Sequence, residues 1–229
     1  MSPELRAPLW SRAALTACFV WFGARLLGLA LLLDGSVPPD EVTHLGRVLS
    51  HADTWGLPRS GPDNYSLGLI SDRPFLYSWL LGRLAALGLD ELLWLRLVNV
   101  GLALATAGYG LRFIRVVSRE PLTHLVFLVC LTNTLMLTGV GAAVSYDNGA
   151  NLAAAAAFYY LAALHSTWDA RTLAALVLSV GLGCLTKRSF LPLAAVIGAA
   201  VLFHERRNIG RLWAGLAGMG RPLALGVGV

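Results

Sequence analysis

The sequence predicts an all-α protein, a polytopic bundle of transmembrane helices. Its 229 residues are 56% hydrophobic and only 14% charged, whereas a soluble domain carries about 25% charged residues. The mean hydropathy is +0.65, and apolar runs close to the ~20 residues that cross a bilayer recur along the chain. Tryptophans stand near the ends of these runs, as interfacial tryptophans do in membrane proteins.

The apolar runs predict one membrane domain over residues 1–229, with six to seven spans. The first run follows Arg6 and Arg12 without a convincing cleavage site, which predicts an uncleaved span with the N-terminus in the cytoplasm. The run over 172–203 is too long for one span and is interrupted by Lys187, which predicts a helical hairpin with Lys187 at its external tip. The predicted spans are 13–33, 91–111, 122–144, 149–164, 172–186 and 188–203, with the start of another near 222.

The longest polar stretch predicts an external loop over residues 34–90 that carries juxtamembrane helices. Residues 40–51 have helical spacing, with an apolar stripe on one side and polar residues on the other, as in a helix that lies at a membrane surface. Residues 73–89 are apolar but interrupted by Arg83, so they either cross the membrane or lie in the interface. The interfacial alternative is favoured because it leaves the three arginines that follow residue 111 in the cytoplasm.

Charged residues from separate places in the chain are predicted to reach the external side together. Charges at membrane depth are costly and tend to mark function. The net charge of +5 does not indicate a nucleic-acid partner, because the basic residues are spread singly between apolar runs. The residues expected on the external side are Asp40, Glu41, Arg73, Asp147 and Lys187.

The adjacent acids Asp40 and Glu41 have two interpretations. They can begin a helix at the surface, where acids suit the helix dipole. They can also supply a general base at the mouth of a membrane cavity, with His44 one turn on to orient the carboxylate. Asp40, His44 and His51 leave a divalent metal open as an alternative, but they fit no established metal pattern, and the sequence identifies no other cofactor.

Asp147 and the basic residues also have a structural and a functional interpretation. Asp147 lies in the stretch 145–148, which predicts a tight external turn because Asp, Asn and Gly favour turns; functionally it is a second acid at the same cavity. Lys187, Arg188 and Arg73 either snorkel to the interface or bind a phosphate and stabilise a leaving group.

The order of these motifs resembles that of the GT-C glycosyltransferases, above all the protein-mannosyltransferase-like and aminoarabinose-transferase-like membrane enzymes. No single motif is specific, but the series covers nearly the whole chain in the family's order. Members of the family are longer, so the chain is expected to correspond to their N-terminal portion. The matching stretches are Pro-Asp-Glu at 39–41, "DTWGLP" at 53–58, "SDRPFLYSWLLGRL" at 71–84, "LRLVNV" at 95–100, "SYDNGANLAAA" at 145–155 and "LTKRSFLPLA" at 185–194.

The resemblance implies roles for individual residues. Asp40 takes the position of the family's catalytic base and Glu41 that of its neighbour, while Asp147 is the second acid. Asp72 and Arg73 take the positions of an acid and a lysine; arginine keeps the charge but not the geometry of lysine. Lys187 takes the position of the hairpin lysine.

The implied activity is transfer of a sugar from a polyprenyl-phosphate donor to a lipid, glycan or protein acceptor. It would proceed with inversion on the external face of the cytoplasmic (inner) membrane. The rival hypothesis is a non-catalytic polytopic membrane protein, a lipid-carrier-binding or assembly subunit, in which the same cations bind lipid headgroups. A further alternative is an inactive fragment of a GT-C enzyme.

Overall fold

The computed structural model describes residues 8–35, 38, 40–56 and 74–205. These residues form helices and no strand, which confirms the all-α prediction for this part of the chain. A short 3₁₀ turn, Arg188–Phe190, precedes the last helix. The helices are α1 (Leu9–Leu32), α2 (Glu41–Ala52), α3 (Leu76–Ala86), α4 (Leu92–Val117), α5 (Pro121–Thr132), α6 (Leu135–Gly141), α7 (Tyr146–Thr167), α8 (Ala170–Thr186) and α9 (Leu191–Glu205).

Two of the described helices, α1 and α4, are long and apolar enough to cross a membrane. They correspond to the predicted spans 13–33 and 91–111. The predicted span 122–144 is broken into α5 and α6, which meet at an angle of 58° and would supply a third crossing if the bent pair is one span. These helices suggest membrane association with two or three crossings, fewer than the six to seven predicted.

The remaining predicted spans correspond to helices that differ from simple spans. Helix α7 has 22 residues, but polar residues and tyrosines interrupt its apolar sequence at both ends. Helix α8 has 17 residues and α9 has 15, which is short of the ~20 needed to cross a bilayer. Leu176 of α8 shares one apolar core with Ile197 of α9 and with Ala157 and Leu164 of α7. The predicted start of a span near 222 lies outside the described residues.

Helix α4 occupies the centre of the fold. One core joins it to α1, α5 and α6, where Phe22 and Leu26 are fully buried against Ala103 and Ala107. Helix α4 also packs on α7, whose buried alanines Ala153 and Ala157 belong to two further cores that α7 shares with α8 and α9. Small residues let helix backbones approach closely, which is typical of helix packing in membranes.

The predicted external loop contains the packed pair α2 and α3. Gly82 of α3 lies against α2 so tightly that a Cβ there would be 2.8 Å from the carbonyl oxygen of Val48. Helix α2 confirms the helical spacing predicted for 40–51, but its buried face carries Glu41, His44, Val48 and His51. Helix α3 has 11 residues, too few to cross a bilayer, as expected for the interfacial alternative.

Arg25 of α1 crosses to the bend between α5 and α6. It donates hydrogen bonds to the side-chain oxygen of Asn133 (2.7 Å) and to the hydroxyl of Thr138 (3.4 Å). A charged residue within an apolar helix needs such partners. The partners of Arg25 are thus an amide and a hydroxyl.

Candidate functional site

Asp40 forms the junction between the first loop and α2. Its backbone is left-handed, with φ 62° and ψ 8°, a region that aspartate tolerates better than most residues. The carboxylate makes no capping hydrogen bond to the helix, and the residue is exposed. The backbone carbonyl accepts from the His44 amide at 2.9 Å, so the helix begins normally while the side chain is left at the surface.

Glu41 has different surroundings from its neighbour. It is 1% exposed, and both carboxylate oxygens accept hydrogen bonds from Arg96 of α4, at 3.0 and 2.6 Å. One of these oxygens also accepts from the backbone amide of Val144 at 2.8 Å. The adjacent acids are therefore separated by the start of α2 into an exposed Asp40 and an interior, fully paired Glu41.

Asp147 lies in the first turn of α7. The stretch 145–148 is a helix start rather than the predicted tight turn, because the Ser145 hydroxyl accepts from the Asp147 amide at 3.2 Å and caps the helix. An acid in the first turn also suits the helix dipole. The Asp147 carboxylate accepts a hydrogen bond from Lys187, and both side chains are about one-third exposed, at 28% and 33%.

Lys187 follows directly on the last residue of α8 and stands in the break before the 3₁₀ turn. Besides Asp147, its ammonium group contacts the ring of Tyr146, 5.2 Å from the centroid. Arg188, the next residue, is exposed. The break between α8 and α9 thus presents cations beside the acid at the start of α7.

His44 connects the two acids. Its ring packs edge-on against Tyr146 with centroids 4.4 Å apart, and its buried Nδ1 has no hydrogen-bond partner. Burial, and next the charge of Arg47, lower the pKa of His44, while Asp147 and Asp40 act in the opposite direction. We call Asp40, His44, Tyr146, Asp147 and Lys187 the polar cluster. Lys187 pairs with Asp147 and lies over the Tyr146 ring that packs on His44, and Asp40 is the N-cap of the helix that carries His44.

An apolar groove of about 650 Å³ begins beside the polar cluster and runs between α3, α4, α7 and α8. At one end it is lined by Gly149, two residues after Asp147, and by Thr186, which directly precedes Lys187. A Cβ at Gly149 would be 3.1 Å from Thr186, so the missing side chain lets α7 and α8 close together here. At the other end Tyr109 and Tyr160 line the groove, about 16 Å further along α7 at 1.5 Å per residue.

Of the residues that the sequence predicted for the site, the structure pairs Asp147 with Lys187. His44 and Lys187 both contact Tyr146, and Asp40 is joined to His44 through the first turn of α2. Asp72 and Arg73 lie outside the described residues. Within the described part of the chain, no three His, Cys, Asp or Glu side chains gather as a metal ion would require.

Sequence reasoning missed four polar residues that support the site. Arg96 holds Glu41, and its charge inside a predicted span was a signal for a buried partner. The Tyr77 hydroxyl and the Asn148 amide both donate to the side-chain oxygen of Asn99, at 2.7 and 2.8 Å. This buried network joins α3, α4 and α7 directly beneath Asp147, and it has no local sequence signal.

Comparison of the chain with models of known protein families, with curated proteins and with solved structures found no match. The polar cluster and the apolar groove beside it are therefore the features of the molecule that indicate a function.

Proposed function

We propose that the protein is a membrane glycosyltransferase that moves a sugar from a polyprenyl-phosphate donor to an acceptor hydroxyl. The observation that carries the proposal is the position of an apolar groove beside a charged cluster. Lys187 pairs with Asp147 and lies over the ring of Tyr146, which packs on His44, and the backbone amide of His44 donates to the carbonyl of Asp40. Thr186, next to Lys187, lines the start of the groove. A lipid-linked phosphate has this same combination of an anionic head and a long apolar tail.

Each charged residue has a part in the proposed reaction. The Asp40 carboxylate accepts the proton of the acceptor hydroxyl, whose oxygen attacks the anomeric carbon. The bond from that carbon to the phosphate oxygen breaks with inversion, and the lipid phosphate leaves with the bonding electrons. Lys187 stabilises the negative charge on the leaving phosphate, and it exchanges Asp147 for the phosphate when the donor binds.

We also propose a membrane for the protein and an orientation in that membrane. The protein is a multi-pass protein of the cytoplasmic (inner) membrane, with its N-terminus in the cytoplasm and the polar cluster on the external face. Arg112 and Arg115 near the C-terminal end of α4 and Arg119 just after it support this orientation, since Lys and Arg are enriched on the cytoplasmic side. The series of motifs that resembles the GT-C enzymes supports the donor class.

The test is sugar transfer in membranes that carry the chain, with a set of radiolabelled polyprenyl-phosphate sugars. Asp40→Asn removes the base but keeps the size and the left-handed tolerance of the residue. Asp53→Asn is the matched control, because Asp53 is an exposed aspartate at the opposite end of α2. We expect transfer by the wild type and by Asp53→Asn, and none above background by Asp40→Asn.

Two outcomes contradict the proposal. Normal transfer by Asp40→Asn would remove Asp40 from the reaction. Absence of transfer by the wild type, with retained binding of the radiolabelled lipid, would favour the rival function of a non-catalytic lipid-carrier-binding subunit.

A further inference from the structure

We infer that the buried Arg96–Glu41 ion pair holds the Asp40 carboxylate in a fixed position relative to Asp147 and Lys187. The inference rests on the proposed function of Asp40 as the base. It makes Glu41 and Arg96 residues that position Asp40. In the described hydrogen-bond network, Arg96 contacts no residue of the polar cluster.

The guanidinium group of Arg96 joins two separate segments to α4. Nε and Nη2 donate to the two oxygens of Glu41, and Nη1 donates to the carbonyl oxygens of Ala30 (3.0 Å) and Leu33 (2.7 Å) at the end of α1. The planar fork of arginine can satisfy these directions together, whereas a lysine ammonium is a point charge. The end of α1 and the start of α2 are therefore fixed to the same side chain.

Glu41 extends the connection to a third segment. Its Oε1 accepts the backbone amide of Val144, which directly precedes the N-cap of α7 and stands three residues before Asp147. Glu41 thus links two positions: it directly follows Asp40, and its carboxylate binds an amide three residues before Asp147. Asp40 and Asp147 are more than one hundred residues apart in sequence.

The left-handed backbone of Asp40 is the third observation. Few non-glycine residues adopt a backbone φ near the 62° of Asp40, and such a conformation persists where the surrounding structure over-determines it. Here the Glu41 amide donates to the carbonyl of Pro38 at 3.3 Å, and the Glu41 side chain is fixed in the interior. The ion pair holds the residue after Asp40, so the turn that directs Asp40 outward cannot relax independently.

Positioning of a base has a large kinetic effect, since a displacement of about 1 Å can reduce a rate about 100-fold. We therefore expect Arg96→Lys and Glu41→Asp, which keep both charges but change reach and geometry, to lower kcat about 100-fold. The KM for the donor should stay close to the wild-type value, because Lys187 and the apolar groove are unchanged. Arg25→Lys, which alters a different arginine that joins α1 to other helices, is the control and should retain kcat.

A second measurement follows the position of Asp40 without any activity. Asp40→Cys and Asp53→Cys are each placed in a background in which Cys18, Cys130 and Cys184 are replaced by serine. Each protein is purified in detergent, checked for a single symmetrical elution peak, and labelled with a water-soluble maleimide. Adding Arg96→Lys or Glu41→Asp should change the labelling rate at position 40 severalfold and leave the rate at position 53 unchanged.

The outcomes separate this inference from the proposed function. Unchanged labelling at position 40, equal changes at positions 40 and 53, or a rise in KM without a loss of kcat would each overturn the positioning role. If the wild type transfers no sugar, the proposed function fails, and the labelling rates still decide whether the ion pair sets the position of residue 40.

Discussion

The ammonium group of Lys187 donates to the carboxylate of Asp147, which joins the end of α8 to the first turn of α7. The pair is partly exposed, so each partner can exchange the other for a ligand, and Thr186, which directly precedes Lys187, lines the apolar groove. A lipid phosphate that enters the groove would meet the lysine first through its negative charge, while the carboxylate would be released.

The first prediction concerns the donor site. Lys187→Gln should raise the KM for a polyprenyl-phosphate sugar about tenfold or more, because hydrogen bonds to charged groups contribute about 1.5–3 kcal/mol. Arg171→Gln is the matched control, since Arg171 is an exposed cation near the opposite end of α8. Steady-state kinetics over a range of donor concentrations measures both variants, and an equal effect of the two would contradict a specific phosphate site at Lys187.

The second prediction concerns the contact between α2 and α3. Gly82→Ala should lower the free energy of unfolding by about 1–3 kcal/mol, because the new Cβ would lie 2.7 Å from the Cβ of His51 and 2.8 Å from a backbone oxygen. Gly101→Ala in α4 meets nothing within 4 Å and should stabilise the helix by about 0.5–1 kcal/mol. Thermal unfolding in detergent compares the two, and a neutral Gly82→Ala would show that α2 does not pack on α3 in this way.

The third prediction concerns pH. Burial lowers the pKa of His44 and of His51, with further contributions from Arg47 and Arg83 respectively. Below the ordinary histidine pKa of about 6.5 the unfolded chain binds protons that the folded chain does not. Stability should therefore fall as the pH decreases from about 6.5 towards the lowered folded values, and stay unaffected by these groups above that range.

The measurement is the unfolding midpoint from about pH 7.5 to pH 5.5. His44→Gln should lose less stability over this range than the wild type, and the double variant His44→Gln with His51→Gln should lose less still. Curves that remain parallel for all three proteins would contradict the lowered pKa values.

Much of the fold could be predicted from hydrophobic runs, because a long apolar stretch has few alternatives to a helix. The predicted span 13–33 is α1, Leu9–Leu32, and the predicted span 91–111 is α4, which continues to Val117. The bend between α5 and α6 could not be predicted, since Asn133 and Thr134 interrupt an apolar run without proline or glycine. It depends on partners that α1 supplies.

The site could be predicted only in part. Asp40, Asp147 and Lys187 were identifiable as charges beside apolar runs, and the structure pairs Asp147 with Lys187 and places Asp40 at the N-cap of the helix that carries His44. The stretch 145–148 resembles a turn locally, but the Ser145 cap makes it the start of a helix. The burial of Glu41 has no local signal, since its partner lies 55 residues away in sequence.

The bend at residue 133 has a consequence for how the chain assembles during insertion. Inside a bilayer every polar group must find a partner within the protein. Asn133 and Thr138 interact with Arg25, and Thr132 contacts Cys18 at 3.5 Å; both partners belong to α1. Thr132, Asn133 and Thr138 also donate to carbonyl oxygens of their own segment, so the contact with α1 serves Arg25 above all. If α1 is inserted first, its arginine would receive these two partners only from a segment made about one hundred residues later.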